Sequence, residues 1–121
     1  MKASSINIVQ KLTQFSEHWS PKVIAEMNDY QFKLVKFQGD FVWHDHPNTD
    51  EVFMVISGAM EIEFHDRRET VSAGELFVIP KGVEHITRAK EECHAMLIEP
   101  RGVVNTGTVK SELTAANDEW I

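Results

Sequence analysis

From Val23 onward the chain consists of short runs in which apolar and polar residues alternate, separated by turn-forming residues. Side chains alternate between the two faces of a strand, so this pattern predicts β-strands with one face towards a core. Clusters of Gly, Pro, Asn and Asp interrupt the runs at short intervals, which is typical of an all-β sandwich or barrel. The predicted strands are residues 23–27, 30–38, 51–56, 59–66, 76–79, 85–89 and 94–99.

Helical periodicity is weak along the whole sequence. Residues 15–19, which precede Pro21, and residues 111–116 are the two candidates for a short helix. A parallel α/β sheet would need helical segments between its strands, and the sequence does not provide them. The pattern therefore favours an all-β fold.

The length of 121 residues predicts a single domain, which buries about two-thirds of the surface that its unfolded chain exposes. Leu113, Trp120 and Ile121 give the last residues enough apolar surface to dock on the rest of the protein. We expect a barrel core at about residues 22–100, an N-terminal arm at 1–21 and a C-terminal loop and tail at 101–121.

Ser57 and Gly58 predict a two-residue hairpin turn between residues 51–56 and 59–66. One face of that hairpin forms an apolar wall, and residues with this spacing belong to a core more often than to a ligand pocket. The other face of residues 51–56 is apolar too, so either a second sheet or a partner subunit should cover it. The wall consists of Glu51, Phe53, Val55, Met60, Ile62 and Phe64.

The net charge of −7 disfavours nucleic acid and anionic membranes as partners, because both require a basic surface. No apolar stretch approaches the length of a membrane span. The single cysteine, Cys93, cannot form an internal disulfide and is expected to be a small buried residue. Residues 1–7 lack the apolar core of a signal peptide, so a cytoplasmic location is expected.

Three histidines and one glutamate are the candidate metal ligands. His44 and His46 share one face of an extended segment, and Glu51 begins the next strand after a turn at residues 47–50. His85 lies far along the chain, so folding must bring it to the other three. Imidazole and carboxylate ligands suit zinc, manganese, iron, nickel or cobalt, and four protein ligands leave one or two positions of a five- or six-coordinate ion open.

The spacing of these residues resembles two motifs of the cupin family. The run Gly39…His44-x-His46-x4-Glu51-x6-Gly58 resembles the first motif, and Gly74-x5-Pro80-x-Gly82-x2-His85 resembles the second. Two departures exist: four residues separate Gly39 from His44 where five are usual, and Ala89 stands where the second motif commonly ends in Asn. Neither departure affects a ligand position.

The resemblance implies a double-stranded β-helix, or jelly-roll barrel, of six to eight strands that binds a metal through His44, His46, Glu51 and His85. The chain looks most similar to small single-domain cupins that are often labelled mannose-6-phosphate isomerase-like. Such proteins commonly dimerise through sheet edges and N-terminal strands, so a homodimer is expected.

Three functions are compatible with an open metal site. The first is an enzyme that binds a small metabolite and isomerises a sugar or sugar phosphate, as the resemblance suggests. The second is an iron-dependent cupin dioxygenase, and the third is a small-molecule binding module without turnover. Lys81, Arg88 and Arg101 are candidates to contact a phosphate at the mouth of the site, and the alternative is that they are ordinary surface charges.

No catalytic acid or base can be assigned from the sequence. His94 and Glu99 are the candidates, but they are five residues apart on one predicted strand, so regular alternation allows only one of them to point inward. Trp43 should project away from the ligands as a packing or interface residue. His18 and His65 lack a motif context, and His65 is expected in solvent.

Overall fold

The computed structural model describes residues 3–121 and shows one short helix and seven strands there. The helix is α1, Ile8–Leu12, and its N-cap Asn7 accepts a hydrogen bond from the Gln10 backbone N–H. The all-β prediction is therefore confirmed. The strands are β1 Lys22–Met27, β2 Tyr30–Asp40, β3 Glu51–Ser57, β4 Ala59–Phe64, β5 Arg68–Ser72, β6 Leu76–Ile79 and β7 His85–Pro100.

Strand β7, with 16 residues, organises the sheet. It pairs antiparallel with β2 along one edge, from Tyr30 opposite Pro100 to Asp40 opposite Arg88. Its other edge pairs first with β4 and then with β3. The two strands predicted at residues 85–89 and 94–99 are thus parts of one strand, bent where Gln38 opposes residues 90–92.

The predicted hairpin between β3 and β4 is wrong. Strand β3 pairs with β6 and β7, whereas β4 pairs with β5 and β7, so β3 and β4 lie end to end along the same edge of β7. Gly58 joins them with φ +80, and a Cβ there would lie 2.9 Å from the Glu92 carbonyl oxygen. The close approach to β7 explains the glycine, which does not form a hairpin turn.

The interior of the barrel nevertheless contains the predicted apolar wall. A register shift between Val55 and Ser57 interrupts the alternation of side chains. The inward residues are therefore odd-numbered in β3 and even-numbered in β4. The result is that β3 and β4 bury the expected side chains against Val35, Phe37 and Leu97. The predicted wall residues are all buried: Glu51, Phe53, Val55, Met60, Ile62 and Phe64.

The outer face of β3 is covered by the N-terminal arm of the same chain. Leu12 and Phe15 pack there with Met54 and Ile56, and Ile121 joins them from the other end of the described chain. Neither a second sheet nor a partner subunit is needed for this part of the strand. The short helices predicted at residues 15–19 and 111–116 do not form, because the arm and tail follow the barrel surface through turns and single backbone bridges.

The last residues dock on β1, as their apolar side chains predict. The Val23 backbone N–H donates to the Glu119 carbonyl oxygen at 2.6 Å, and the Ile121 N–H donates to the Val23 carbonyl oxygen at 3.1 Å. Lys22 adds an ion pair of 2.7 Å with Glu119.

Within residues 3–121, no helix has the length and hydropathy to cross a membrane.

Removing residues 118–121 should destabilise the protein while leaving it folded. The truncation removes two backbone hydrogen bonds and the partly buried Ile121 side chain, so the free energy of unfolding should fall by about 2–4 kcal/mol. Urea unfolding followed by circular dichroism measures the change. Glu112→Ala, at an exposed position of the same segment, is the control, and equal unfolding midpoints for truncated and full-length protein would refute the docking contribution.

Candidate metal centre

The backbone brings the two predicted ligand segments directly together. His44 and His85 form an isolated antiparallel bridge in which each backbone N–H donates to the other residue's carbonyl oxygen at 2.9 Å. Both residues are buried, and their ring centroids are 4.4 Å apart. The contact joins the segment after β2 to the start of β7.

The rings of His44 and His85 are each held by a local hydrogen bond of the same kind. His44 Nδ1 lies 2.8 Å from the Val42 carbonyl oxygen, and His85 Nδ1 lies 2.9 Å from the Val83 carbonyl oxygen. A carbonyl oxygen only accepts, so each Nδ1 carries the hydrogen and donates it. Each Nε2 is left with a free lone pair, which is the arrangement that a metal-binding imidazole needs.

His46 and Glu51 complete the cluster. His46 Nε2 lies 3.3 Å from Glu51 Oε2, and His85 Nε2 lies 4.0 Å from Glu51 Oε1. One ligand atom each from His44, Glu51 and His85 lies within 4.8 Å of the others. Ligand atoms around one ion at zinc-like bond lengths are about 3–4 Å apart, so small adjustments would let these side chains share an ion.

Several acceptor atoms in this cluster have no partner among the described residues. His46 Nε2, His85 Nε2 and Glu51 Oε1 are buried and make no hydrogen bond with a described residue. A buried polar atom without a partner costs about 1–3 kcal/mol. A single divalent cation would satisfy all three atoms at once, and the donor set therefore fits a metal.

The charge state of the histidines also fits a metal. Burial and repulsion by His85 lower the pKa of His44 to about 3. Burial lowers the pKa of His46 and of His85 as well. The three rings are neutral at pH 7, so protons do not compete strongly for their lone pairs.

Glu51 behaves differently because it carries the charge when deprotonated. Complete burial and the neighbouring Glu99 carboxylate raise the pKa of Glu51 well above its ordinary value. The metal-free protein therefore favours the protonated acid at this position. A cation bound to Glu51 would displace that proton.

The cluster opens into a narrow cavity of about 30 Å³, room for about two water molecules. Its roof is Trp19, which stacks on Phe37 at 4.8 Å and on Phe41 at 4.6 Å between ring centroids. No Lys or Arg occurs among the described residues that line it. The lining residues are Trp19, Pro21, Val35, Phe37, Phe41, His44, Glu51, Phe53, Thr87, Leu97, Glu99 and Asn105.

Of the two acid or base candidates, Glu99 points into the cavity and His94 does not. His94 Nε2 lies outside, 2.8 Å from Glu92 Oε1. Glu99 is 2% exposed, and its Oε1 accepts a hydrogen bond of 2.8 Å from Lys33 Nζ. Its Oε2 is buried and makes no hydrogen bond with a described residue.

Lys33 is the residue of this region that sequence reasoning missed. It is almost fully buried on β2, where it alternates with Val35 and Phe37 on the inward face. That period of two is the signal that could have identified it, because a lysine in register with core residues must find a buried partner. Glu99, in register with Leu97 on the neighbouring β7, supplies the partner.

Trp43 and the two histidines without a motif context lie away from the cavity. Trp43 projects outward, as predicted, and stacks on His65 with 4.7 Å between ring centroids. His65 is exposed to solvent, as expected, and it also pairs with Glu84. His18 lies 2.7 Å from Glu92.

The candidate basic residues do not line the cavity either. Arg88 pairs with Asp40, Glu61 and Glu63, and Arg101 pairs with Glu26. Lys81 is exposed.

Cys93 is buried as expected. Burial raises the pKa of its thiol to about 12. A thiol with so high a pKa is protonated at neutral pH, so Cys93 is a packing residue rather than a nucleophile.

Comparisons with known proteins agree with this fold. The model of the cupin domain family, Cupin_2, matches residues 33–99. YdbB of Bacillus subtilis (strain 168) is 36% identical over 84 residues, which are 69% of this chain and 74% of YdbB.

Two solved structures are similar over most of the chain. A cupin-2 domain containing protein from Shewanella frigidimarina NCIMB 400 is 62% identical, with a TM-score of 0.79, over 79% of this chain and 94% of that chain. Protein NMB1881 from Neisseria meningitidis is 37% identical, with a TM-score of 0.72, over 80% of this chain and 99% of that chain. The predicted jelly-roll barrel is thus confirmed, and the chain belongs to the cupin family.

Proposed function

We propose that this cupin binds one divalent metal ion through His44, His46, Glu51 and His85 and uses it to act on a small metabolite. The observation that carries the proposal is the set of buried acceptor atoms without partners on His46, Glu51 and His85. Zinc, manganese, iron, nickel and cobalt all suit three imidazoles and one carboxylate. When bound, such an ion supplies Lewis-acid polarisation of a carbonyl or hydroxyl oxygen.

The protein contributes an acceptor beside this centre. Glu99 Oε2 has no partner among the described residues, while Lys33 holds Oε1 and thereby fixes the carboxylate. An isomerisation of a hydroxy-carbonyl compound moves one proton between neighbouring carbons and one from the hydroxyl to the carbonyl oxygen, and Glu99 Oε2 would carry the proton between the carbons. The aromatic roof of Trp19, Phe37 and Phe41 limits access of water to that step.

The ligand that this cavity favours is small and unphosphorylated. Neither Lys nor Arg is present among the described lining residues, and Lys33 is already paired with Glu99. A phosphate group would therefore find no free cationic side chain within the cavity. We accordingly favour a sugar-like or hydroxy-carbonyl ligand over a sugar phosphate.

Two other functions use the same centre. An iron dioxygenase would employ the same three histidines and one glutamate, and a binding module would retain the metal and the ligand without turnover. Metal identity separates them: zinc, manganese or nickel directs assays to sugar and sugar-acid isomerisation, and iron directs them to oxygen consumption with diketones and catechols. Glu99 Oε2 would accept a proton in the isomerase and a hydrogen bond from a ligand hydroxyl in the binding module, so turnover assays separate these two functions.

The metal proposal is tested by elemental analysis of protein purified without added metal. We expect about one ion per chain in the wild type, and about tenfold less or lower in His46→Ala and Glu51→Ala, since each substitution removes a ligand. His94→Ala is the matched control, because this histidine pairs with Glu92 outside the cavity. Equal metal content in all four proteins would contradict the assignment.

The buried histidines predict a pH-dependent stability of the metal-free protein. The pKa of His44 is about 3 in the folded protein and about 6.5 in the unfolded chain, so the unfolded chain takes up the proton first as the pH falls. The contribution of neutral His44 to the free energy of unfolding is fully present above pH 6.5. Protonation of the unfolded chain at this residue should lower that free energy by about 3 kcal/mol between pH 7 and 4.

Urea unfolding in the presence of a chelator, at pH 7, 5.5 and 4, measures that decrease. His44→Asn keeps a donor for the Val42 carbonyl oxygen but cannot titrate, so its stability should depend less on pH than that of the wild type. Identical pH slopes for the two proteins would show that His44 contributes nothing to the acid sensitivity.

We also propose the homodimer, through the surface of β6. This strand pairs only with β3 among the described strands, and its outward side chains Leu76 and Val78 are 59% and 48% exposed. They lie beside Met54 and Val52 of β3; Met54 already packs against the N-terminal arm, so Val52 is the residue that extends the apolar surface onto β3. A second copy would cover both the apolar patch and the free strand edge.

Light scattering coupled to gel filtration tests the dimer. The wild type should have the mass of two chains, and the double variant Leu76→Lys, Val78→Lys should have the mass of one because the charges oppose burial of the patch. Val9→Lys, at an exposed apolar position on α1, should remain dimeric. A monomeric wild type, or a double variant that keeps its mass, would rule out this interface.

A further inference from the structure

His46 lacks the local hydrogen bond that holds the other two histidines. His44 and His85 each donate Nδ1–H to a nearby backbone carbonyl oxygen, whereas no described residue makes such a bond to His46. The backbone of His46 is held on one side, where its carbonyl oxygen accepts from the Gly82 N–H at 2.9 Å. The orientation of its ring must therefore depend on what packs against it.

The loop of residues 102–110, here called the C-terminal loop, provides that packing. A Cβ on Gly107 would lie 2.1 Å from the Asp45 carbonyl oxygen, 3.2 Å from the Asp45 carbonyl carbon and 3.7 Å from His46 Nδ1. The first distance is far below any contact that real Cβ atoms make, so only glycine allows the loop to approach this closely. The loop backbone thus lies directly against the segment that carries His46.

The C-terminal loop is itself firmly held. Asn105 Nδ2 donates to the carbonyl oxygens of Trp19 and Leu113, and its Oδ1 accepts from the Ala115 N–H, each at 2.9 Å. Thr106 is fully buried and donates its hydroxyl to the Val109 carbonyl oxygen at 2.7 Å. Because these bonds fix the residues on the N-terminal side of Gly107, the loop forms a rigid wall rather than a mobile cover.

We propose that Gly107 is a positioning residue for the metal centre: the C-terminal loop packs against Asp45 and His46 through it and sets the orientation of the His46 imidazole. This inference rests on the proposed metal-binding function. All four proposed ligands lie within residues 33–99, which match the family model, whereas the loop that would position His46 lies beyond that match.

Gly107→Ala and Gly102→Ala form a matched pair for the test. Both glycines have positive φ, +62 and +91, so both substitutions carry a backbone penalty, but a Cβ on Gly102 meets no atom within 4 Å. The Zn²⁺ affinity of each protein is measured by competition with a chromophoric chelator, and the Co²⁺ complex by its visible absorption. Gly107→Ala should weaken Zn²⁺ binding by about 10–100-fold and change the Co²⁺ spectrum, whereas Gly102→Ala should do neither.

A double variant shows whether Gly107 acts through His46. In the His46→Ala background, Gly107→Ala should cause no further loss of Zn²⁺ affinity, because the ring that it positions is absent. An additive loss would overturn the inference, as would wild-type affinity in the single variant. Both results leave the proposed function intact, whereas a wild type that binds neither Zn²⁺ nor Co²⁺ would overturn the proposed function itself.

A second variant covers the case in which Gly107→Ala does not fold, as judged by circular dichroism. Asn105→Ala removes three hydrogen bonds that hold the loop but introduces no clash with Asp45. It should weaken Zn²⁺ binding and alter the Co²⁺ spectrum in the same direction. An unchanged affinity and spectrum would overturn the inference.

Discussion

The two backbone hydrogen bonds between His44 and His85 are the interaction on which the candidate site depends. They connect the segment between β2 and β3 to the first residue of β7, and each histidine then uses its own local carbonyl acceptor to aim its ring. The orientation of each ring is thus set by the backbone carbonyl two residues earlier, so changes elsewhere in the barrel affect it little. His46 and Glu51 follow within the same segment and are placed by its continuation into β3.

This arrangement concentrates buried polar groups in a small volume. Contacts with other described residues offset only part of the free energy that their desolvation costs. Lys33 and Glu99 neutralise each other at 2.8 Å with both side chains nearly inaccessible, and removal of one partner would leave the other charge buried. The imidazoles avoid a charge by remaining neutral. Glu51 is the exception, since burial and Glu99 both oppose its ionisation, and its carboxylate form requires a cation close by.

The strand faces could be predicted from local spacing and the four-residue cluster from its resemblance to the cupin motifs, whereas the strand partners could not be predicted. Alternation along a strand determines which side chains share a face, so the buried set from Phe53 to Phe64 and the proximity of His44 and His46 follow from local spacing. Pairing depends on distant segments. Residues 51–64 therefore have the alternation of a hairpin even though β7 holds both halves along one edge.

The same limit applies to the arm, the tail and the Lys33–Glu99 pair. Short segments such as residues 8–12 and 118–121 have little periodicity of their own, and their positions are determined by the surface that they cover. Regular alternation allows only one of His94 and Glu99 to point inward, and local spacing does not tell which; the pairing of β7 with β2 and β3 decides it.

The stack of Trp19 on Phe37 and Phe41 also has a kinetic consequence. A cavity with room for about two water molecules admits a metabolite only after the aromatic side chains of this stack have moved apart. Association should then be slower than diffusion and limited by the opening of this aromatic roof.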